Sequence, residues 1–439
     1  MVLLKHCTKP FTPTTMAFLS YSRRHSPHLL RLLSTTPASA ATVTISSSAA
    51  KNKLLNVFDP DESLAILASA SPSSSSSSHR FALDLAVRRL ASVRRFSDIE
   101  SLLSARRSLL PAADEASLSS LILTYATANM LSHARQLFDE IPEKTSLSFN
   151  ALLRAYAKAK KPKLIPELFS SLQALHPSIV PDHVSYGILI KSFCIVGKLN
   201  NARQVFDEML PKGIEPTVAI YTTLLDSMYK KGKAEEAERL WSEMLAKGLK
   251  PDHVAYNVRM MYVGLHGKPE EVLAMIKEME EAGWKPDAIT YNYLISCYCR
   301  NKRFEDAKEA YRGFMKKKGS YGGPNAAIFK DLVNFLCGNG DFDGGLEVVR
   351  DSIKHNKIPD FKTMKVLVEG LMENGKVEEV KEVIRVVKER FPENLLGGWK
   401  SLEKKMGLVA DGEVAEPVEV TEPVKAAEPI MAAEPIMAA

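Results

Sequence analysis

Apolar residues recur through the middle of this chain at steps of three and four. In residues 218–252, Tyr221, Leu224, Leu225 and Met228 fall at i, i+3, i+4 and i+7, which puts them on one face of a helix. Gly232 follows, where a glycine in the left-handed region ends a helix. Ala237, Leu240, Trp241 and Met244 repeat the spacing on a second helix, which Gly248 closes and Pro251 keeps from continuing. The preceding stretch has the same layout, with Tyr186, Leu189, Ile190 and Phe193, then Ala202, Val205, Phe206 and Met209. Each stretch predicts a helix–turn–helix hairpin with two apolar stripes. A lone hairpin cannot bury both stripes, but stacked hairpins can.

The punctuation between hairpins keeps time. Pro251–Asp252 and Pro286–Asp287 lie 35 residues apart, and Pro216–Thr217 sits 35 before the first. Pro324–Asn325 and Pro359–Asp360 continue the series at steps of 38 and 35. Gly197, Gly232, Gly267, Gly340 and Gly375 recur with it. A period in this range signals a solenoid. A 35-residue unit with Ser-Tyr-Gly or Ala-Tyr-Asn opening its first helix and Lys-Pro-Asp closing it resembles the pentatricopeptide repeat. The tetratricopeptide repeat, with a 34-residue unit and a Trp/Gly/Tyr pattern, fits less well. The resemblance covers 80–395 as units 80–114, 115–145, 146–182, 183–217, 218–252, 253–287, 288–325, 326–360 and 361–395, the central ones strongest. It implies an all-α fold, a right-handed α-solenoid of nine antiparallel helix pairs between about Arg80 and Pro392.

The flanks read differently. No Asp or Glu precedes Asp59, while Lys5, Lys9, Arg23, Arg24, Arg31, Lys51 and Lys53 do, among many Ser, Thr and Ala. Arg-rich, Ser-rich and acid-free is the composition of a transit peptide, assigned here to residues 1–50 and to the mitochondrial matrix, with the chloroplast as the alternative address. Residues 51–79 predict one helix from Asp59 to Ser69 and a Ser-rich linker, Ser71 and Ser73 to Ser78. Trp399, Leu402 and Met406 predict a capping helix within 396–410. The tail 411–439 repeats Glu-Pro at 416, 422, 428 and 434, a spacing that prevents a packed core and reads as disorder. No apolar run approaches membrane-spanning length, so no membrane partner is expected.

Charge narrows the function. The 58 Lys and Arg against 52 Asp and Glu give a net charge of +6, but seven of the cations precede Asp59 and seven acids lie in the tail. The body carries only a mild positive excess, so a grip on nucleic acid is expected along a stripe rather than through bulk charge. Catalytic signatures are missing: there is no C-x-x-C, no H-x-E ahead of one, no Walker A loop and no G-x-S-x-G. Cys7, Cys194, Cys297, Cys299 and Cys337 read as free thiols, and Glu pairs such as Glu235–Glu236 suit the positive start of a helix. The chain is expected to be non-enzymatic, with no cofactor and no metal.

In the pentatricopeptide repeat family the fifth and last residues of a unit read one RNA base. The resemblance therefore implies base contacts from Asn150 with Asp182 (uracil-like), Thr222 with Asp252 (guanine-like), Asn257 with Asp287 (uracil-like) and Asn292 with Asn325 (pyrimidine-like). These residue types also suit helix caps and turns. Gly187 with Thr217, Ser119 with Thr145, Lys330 with Asp360, and Lys365 depart from the pattern. The second residues Val184, Val254 and Ile289 are the family's stacking positions; Ala219, at the same place, is small for that task. Lys158, Lys230 and Arg300 recur near the end of the first helix, where they can touch phosphates or complement the helix dipole.

Three adjacent reader pairs give limited discrimination, since one base is worth about 1–3 kcal/mol. The resemblance is to short plant organellar members with no appended domain, some similar to ribosome-associated mitochondrial ones. It implies a single-stranded RNA partner, mRNA or rRNA, with mitochondrial ribosomal proteins as further neighbours. A free RNA adaptor and a protein–protein scaffold are the alternatives.

Overall fold

The computed structural model describes residues 45–57, 59–70, 77–111, 113–316, 323–391 and 396–408. Residues 1–44, most of the serine run, Pro392 and the tail 411–439 lie outside them. The described residues form twenty-one α-helices, two short 3-10 turns and no strand, one isolated bridge from Ile45 to Ala70 apart.

Eighteen of the helices run as nine successive pairs. They are α3 (Ser77–Ser92) with α4 (Phe96–Ser108), α5 (Glu115–Thr127) with α6 (Leu131–Glu140), and α7 (Ser146–Lys158) with α8 (Ile165–Leu175). Next come α9 (His183–Ile195) with α10 (Leu199–Asp207), α11 (Val218–Lys230) with α12 (Ala234–Ala246), and α13 (His253–His266) with α14 (Pro269–Glu281). The last are α15 (Ala288–Arg300) with α16 (Phe304–Lys316), α17 (Ala326–Gly338) with α18 (Phe342–Lys354), and α19 (Phe361–Glu373) with α20 (Val377–Arg390). Two helices precede the array, α1 (Ser47–Asn56) and α2 (Pro60–Ala68), and α21 (Gly397–Lys405) follows it.

The helices fall into two bodies, one up to Tyr262 and one from Val263. In the first body an aromatic joint repeats. A ring on the second helix of one unit meets the ring at the fourth position of the next: Phe169 on Tyr186 at 5.6 Å, Phe206 on Tyr221 at 5.1 Å and Trp241 on Tyr256 at 5.4 Å, all edge to face. Edge-to-face pairs add about 0.5–1.5 kcal/mol to the burial of their area. Arg259 lies over the Trp241 ring and donates to Glu238, which also accepts from the Tyr229 hydroxyl. In the second body Tyr311 and Phe329 make the same joint, and Trp399 of α21 packs edge to face on Phe361 at 5.1 Å.

Three local features differ from the sequence expectation. Ser77 and Ser78 are not linker but the first turn of α3. An unforeseen helix, α1, crosses the 50/51 boundary and buries Ala50 and Leu54, while Asp59 caps α2 by accepting from the Glu62 amide at 2.8 Å. Gly267 breaks the glycine series. Gly197, Gly232, Gly340 and Gly375 turn their hairpins at positive φ, but Gly267 does not. Pro269 opens α14, and a residue before proline is pushed to extended backbone, as Lys268 is at φ −103° and ψ 153°. The turn therefore takes another path. In units without the glycine, Arg94, Asn129, Lys160 and Lys302 occupy the left-handed position instead.

Candidate nucleic-acid interface

The residues that close each unit are the N-caps of the next. Asp182 starts α9, where its carboxylate accepts from the Ser185 amide at 2.9 Å in a full capping box. Asp252 accepts from the Ala255 amide at 2.8 Å, Asp287 from the Thr290 amide at 2.9 Å, Asn325 from the Ile328 amide at 2.9 Å and Asp360 from the Thr363 amide at 3.0 Å. Each satisfies an amide that the first turn of a helix leaves open, worth about 0.5–2 kcal/mol. Thr217, in the unit that departs from the pattern, makes no such side-chain bond.

The fifth residues lie on the first helices, and Asn150 and Lys330 touch their caps. Asn150, almost fully buried, donates from Nδ2 to Asp182 at 3.0 Å and accepts at Oδ1 from the Ser185 hydroxyl at 2.6 Å. Burial pushes the Asp182 carboxyl up, but hydrogen bonds from Asn150 and Ser185 outweigh it and hold the group below its ordinary range. Lys330 pairs with Asp360 at 2.6 Å, which lowers the Asp360 carboxyl and raises the Lys330 ammonium.

Thr222 is buried and donates from its hydroxyl to the Val218 carbonyl at 2.8 Å. Asn257 is buried. Asn292 is half-buried, and its Oδ1 is buried with no hydrogen-bond donor among the described residues; the Ser119 hydroxyl, at the same place in its unit, is in the same condition. A buried polar atom without a partner costs about 1–3 kcal/mol.

The stacking positions remain open to solvent. Ile289 is 40% exposed, and Val184, Val254 and Ala219 are half-buried. Leu147, at the same place in unit 146–182, is 47% exposed and belongs with them, although the sequence reading passed over it.

The three cations have different fates. Lys158 is held by Asp84 at 2.9 Å. Asp84 sits two units earlier and also accepts from the Thr127 hydroxyl and from Arg88 at 2.7 Å. Burial raises the Asp84 carboxyl, and those bonds from Thr127 and Lys158 bring it below its ordinary range. Lys230 pairs with Asp226, one turn back, at 2.8 Å. Arg300 is exposed and makes no ion pair among the described residues. Lys158 and Lys230 are thus engaged in ion pairs, whereas Arg300, among the described residues, is not.

Successive helical hairpins whose closing residues cap the next helix define a helical-repeat protein. Family models for the PPR repeat family match residues 181–226, 216–261 and 251–300, and for the PPR repeat residues 147–175 and 289–319. The chain is 41% identical over 376 residues to a mitochondrial pentatricopeptide repeat-containing protein of Arabidopsis thaliana, covering 84% of this chain and 88% of that one. It is also 41% identical over 397 residues to the Arabidopsis thaliana small ribosomal subunit protein mL103, covering 88% of this chain and 95% of that one. Among solved structures, the pentatricopeptide repeat protein PPR10 in complex with an 18-nucleotide psaJ RNA element matches with a TM-score of 0.51 at 17% identity. That match covers 82% of this chain and 60% of that one. The chain belongs to the pentatricopeptide repeat family, and its fold is the stacked-hairpin fold of PPR10.

Proposed function

We propose that the chain is a non-catalytic RNA-binding protein of the mitochondrion, working as a component or associate of the mitochondrial ribosome. The observation that carries the RNA reading is the side-by-side placement of fifth and closing residues, Asn150 with Asp182 and Lys330 with Asp360, in two separate units. Where these residues are Asn, Thr and Asp, their short polar groups suit the Watson–Crick edge of an unstacked base. The pair Thr222 with Asp252 reads guanine and the pair Asn292 with Asn325 reads a pyrimidine. Ile289, Val184, Val254 and Leu147 give bases an apolar contact.

The ribosomal reading draws on the extent of the likeness to mL103, which runs nearly end to end through both chains. It also draws on the weakness of the code. The charged pair at Lys330 and Asp360 interrupts the readers after three units, too few to select one transcript by sequence. Residues 1–50 serve as the mitochondrial transit peptide. Gradient sedimentation of detergent-lysed mitochondria tests this. Co-migration with a ribosomal subunit that collapses on magnesium chelation is the expected result. A light, chelation-insensitive fraction favours a free adaptor.

A further inference from the structure

The lysines next to Lys158 are free of the ion pair that holds Lys158 itself. The turn between α7 and α8 reads Lys158, Ala159, Lys160, Lys161, Pro162, Lys163, and the next turn carries Lys198. Lys160, Lys161, Lys163 and Lys198 are exposed, and their ammonium groups make no ion pair among the described residues. The third turn adds Lys231, which donates to the Gly197 carbonyl at 3.1 Å and so ties two of these turns together. Three acids nearby each hold a lysine outside the cluster: Asp84 holds Lys158, Asp226 holds Lys230 and Glu236 holds Lys233. Glu167 and Glu235 are exposed in the first turns of α8 and α12 and form no ion pair among the described residues.

Local stability does not explain the cluster. Lys161, Lys163 and Lys198 stand at the entry to second helices, where the dipole favours acids and disfavours cations. Turn residues 158–164, 196–199 and 230–233 contain no aromatic side chain. Binding of single-stranded RNA combines positive charge with rings on which bases stack. An edge of charge without rings suits a partner that presents phosphates alone, as an A-form duplex does, recognised by shape and backbone.

We infer that the hairpin-turn edge of units 146–182 and 183–217 is a second RNA-binding surface, on which Lys160, Lys161, Lys163 and Lys198 grip the phosphate backbone of an RNA duplex, separate from the base-reading residues. The inference rests on the RNA-binding reading above and extends it to structured RNA.

The test uses the full chain and a variant carrying Lys160→Asn, Lys161→Gln, Lys163→Gln and Lys198→Gln. Asn is chosen at position 160 because φ is +57° there and Asn tolerates that region. Binding to a blunt RNA duplex and to a single strand containing guanine-uracil-pyrimidine is measured across salt, with a four-arginine variant as control. Expected are a tenfold or greater loss of duplex affinity in the neutral variant, a salt slope smaller by about 3, an unchanged single-strand affinity, and retention of duplex binding by the arginine variant. Duplex binding by the neutral variant with the wild-type slope overturns the edge. So does equal loss on both RNAs, which places the lysines on the single-strand path. A wild type that binds the single strand but no duplex overturns the edge and leaves the base-reading account standing, whereas a wild type that binds neither RNA overturns both.

Discussion

Asn150 donates a hydrogen bond to Asp182 across 3.0 Å, joining the fifth residue of one unit to the cap of the next helix. Ser185 closes the triangle by donating to Asn150 Oδ1 at 2.6 Å. Asp182 thus holds a helix start and the Asn150 amide at the same time. The cap fixes where the carboxylate sits, and the amide is aimed by it.

That triangle predicts acid sensitivity. The Asp182 carboxyl lies lower in the folded chain than in the unfolded one, because hydrogen bonds from Asn150 and Ser185 exceed the effect of burial. Its contribution is therefore complete above the unfolded carboxylate range, about pH 4, and is lost as pH falls through the folded value. Asp182→Asn removes this dependence, so the stability gap between wild type and variant should narrow on acidification from neutral pH. Denaturant titrations at pH 7 and below pH 4 check it.

Trp241 is 3% exposed, packs edge to face on Tyr256 and carries Arg259 over its ring. Trp241→Ala should cost about 3–5 kcal/mol, as truncation of large buried aromatics does. Hydrogen exchange should show the loss in α11 to α13 first, since repeat stability is a nearest-neighbour property. Unchanged protection there contradicts the joint.

The pair of Lys330 and Asp360 is about half exposed, so its rupture should cost only about 0.2–1 kcal/mol. Lys330→Asn frees Asp360 and installs the uracil-like combination that the family resemblance implies. The variant should gain a preference for uracil at one further position, by about 1 kcal/mol. Selection from a random single-stranded pool measures it. No change in the selected sequence would mean that this unit lies off the RNA path.

The repeat body was legible because its signals are local. Stripes such as Tyr221, Leu224, Leu225 and Met228 come out buried, and each closing Asp or Asn becomes the cap its residue type suits. What sequence spacing cannot carry is contact over distance. Lys158 meets Asp84, 74 positions earlier, only because three hairpins stack in register. The third member of the Asn150 triangle, Ser185, likewise shows in the sequence only as the serine of a helix-opening Ser-Tyr-Gly. The helix α1 was missed because it sits in an acid-free stretch whose composition pointed to a transit peptide. The Gly267 turn shows the opposite failure: the glycine kept its period, but Pro269 two residues on dictated the backbone.

Base preference at Thr222 tests the central claim most directly, because Thr222 and its closing residue Asp252 lie in one body of the fold. Single-stranded RNAs differing at one position are titrated against the full chain and against Thr222→Asn. The wild type should bind with affinity that falls as salt rises and should favour guanine at that position. The variant should shift toward uracil by about 1 kcal/mol with its overall affinity retained. Equal affinity for all four bases in both proteins, or no salt-sensitive binding to any RNA, would contradict the account and leave Asp252 a helix cap alone.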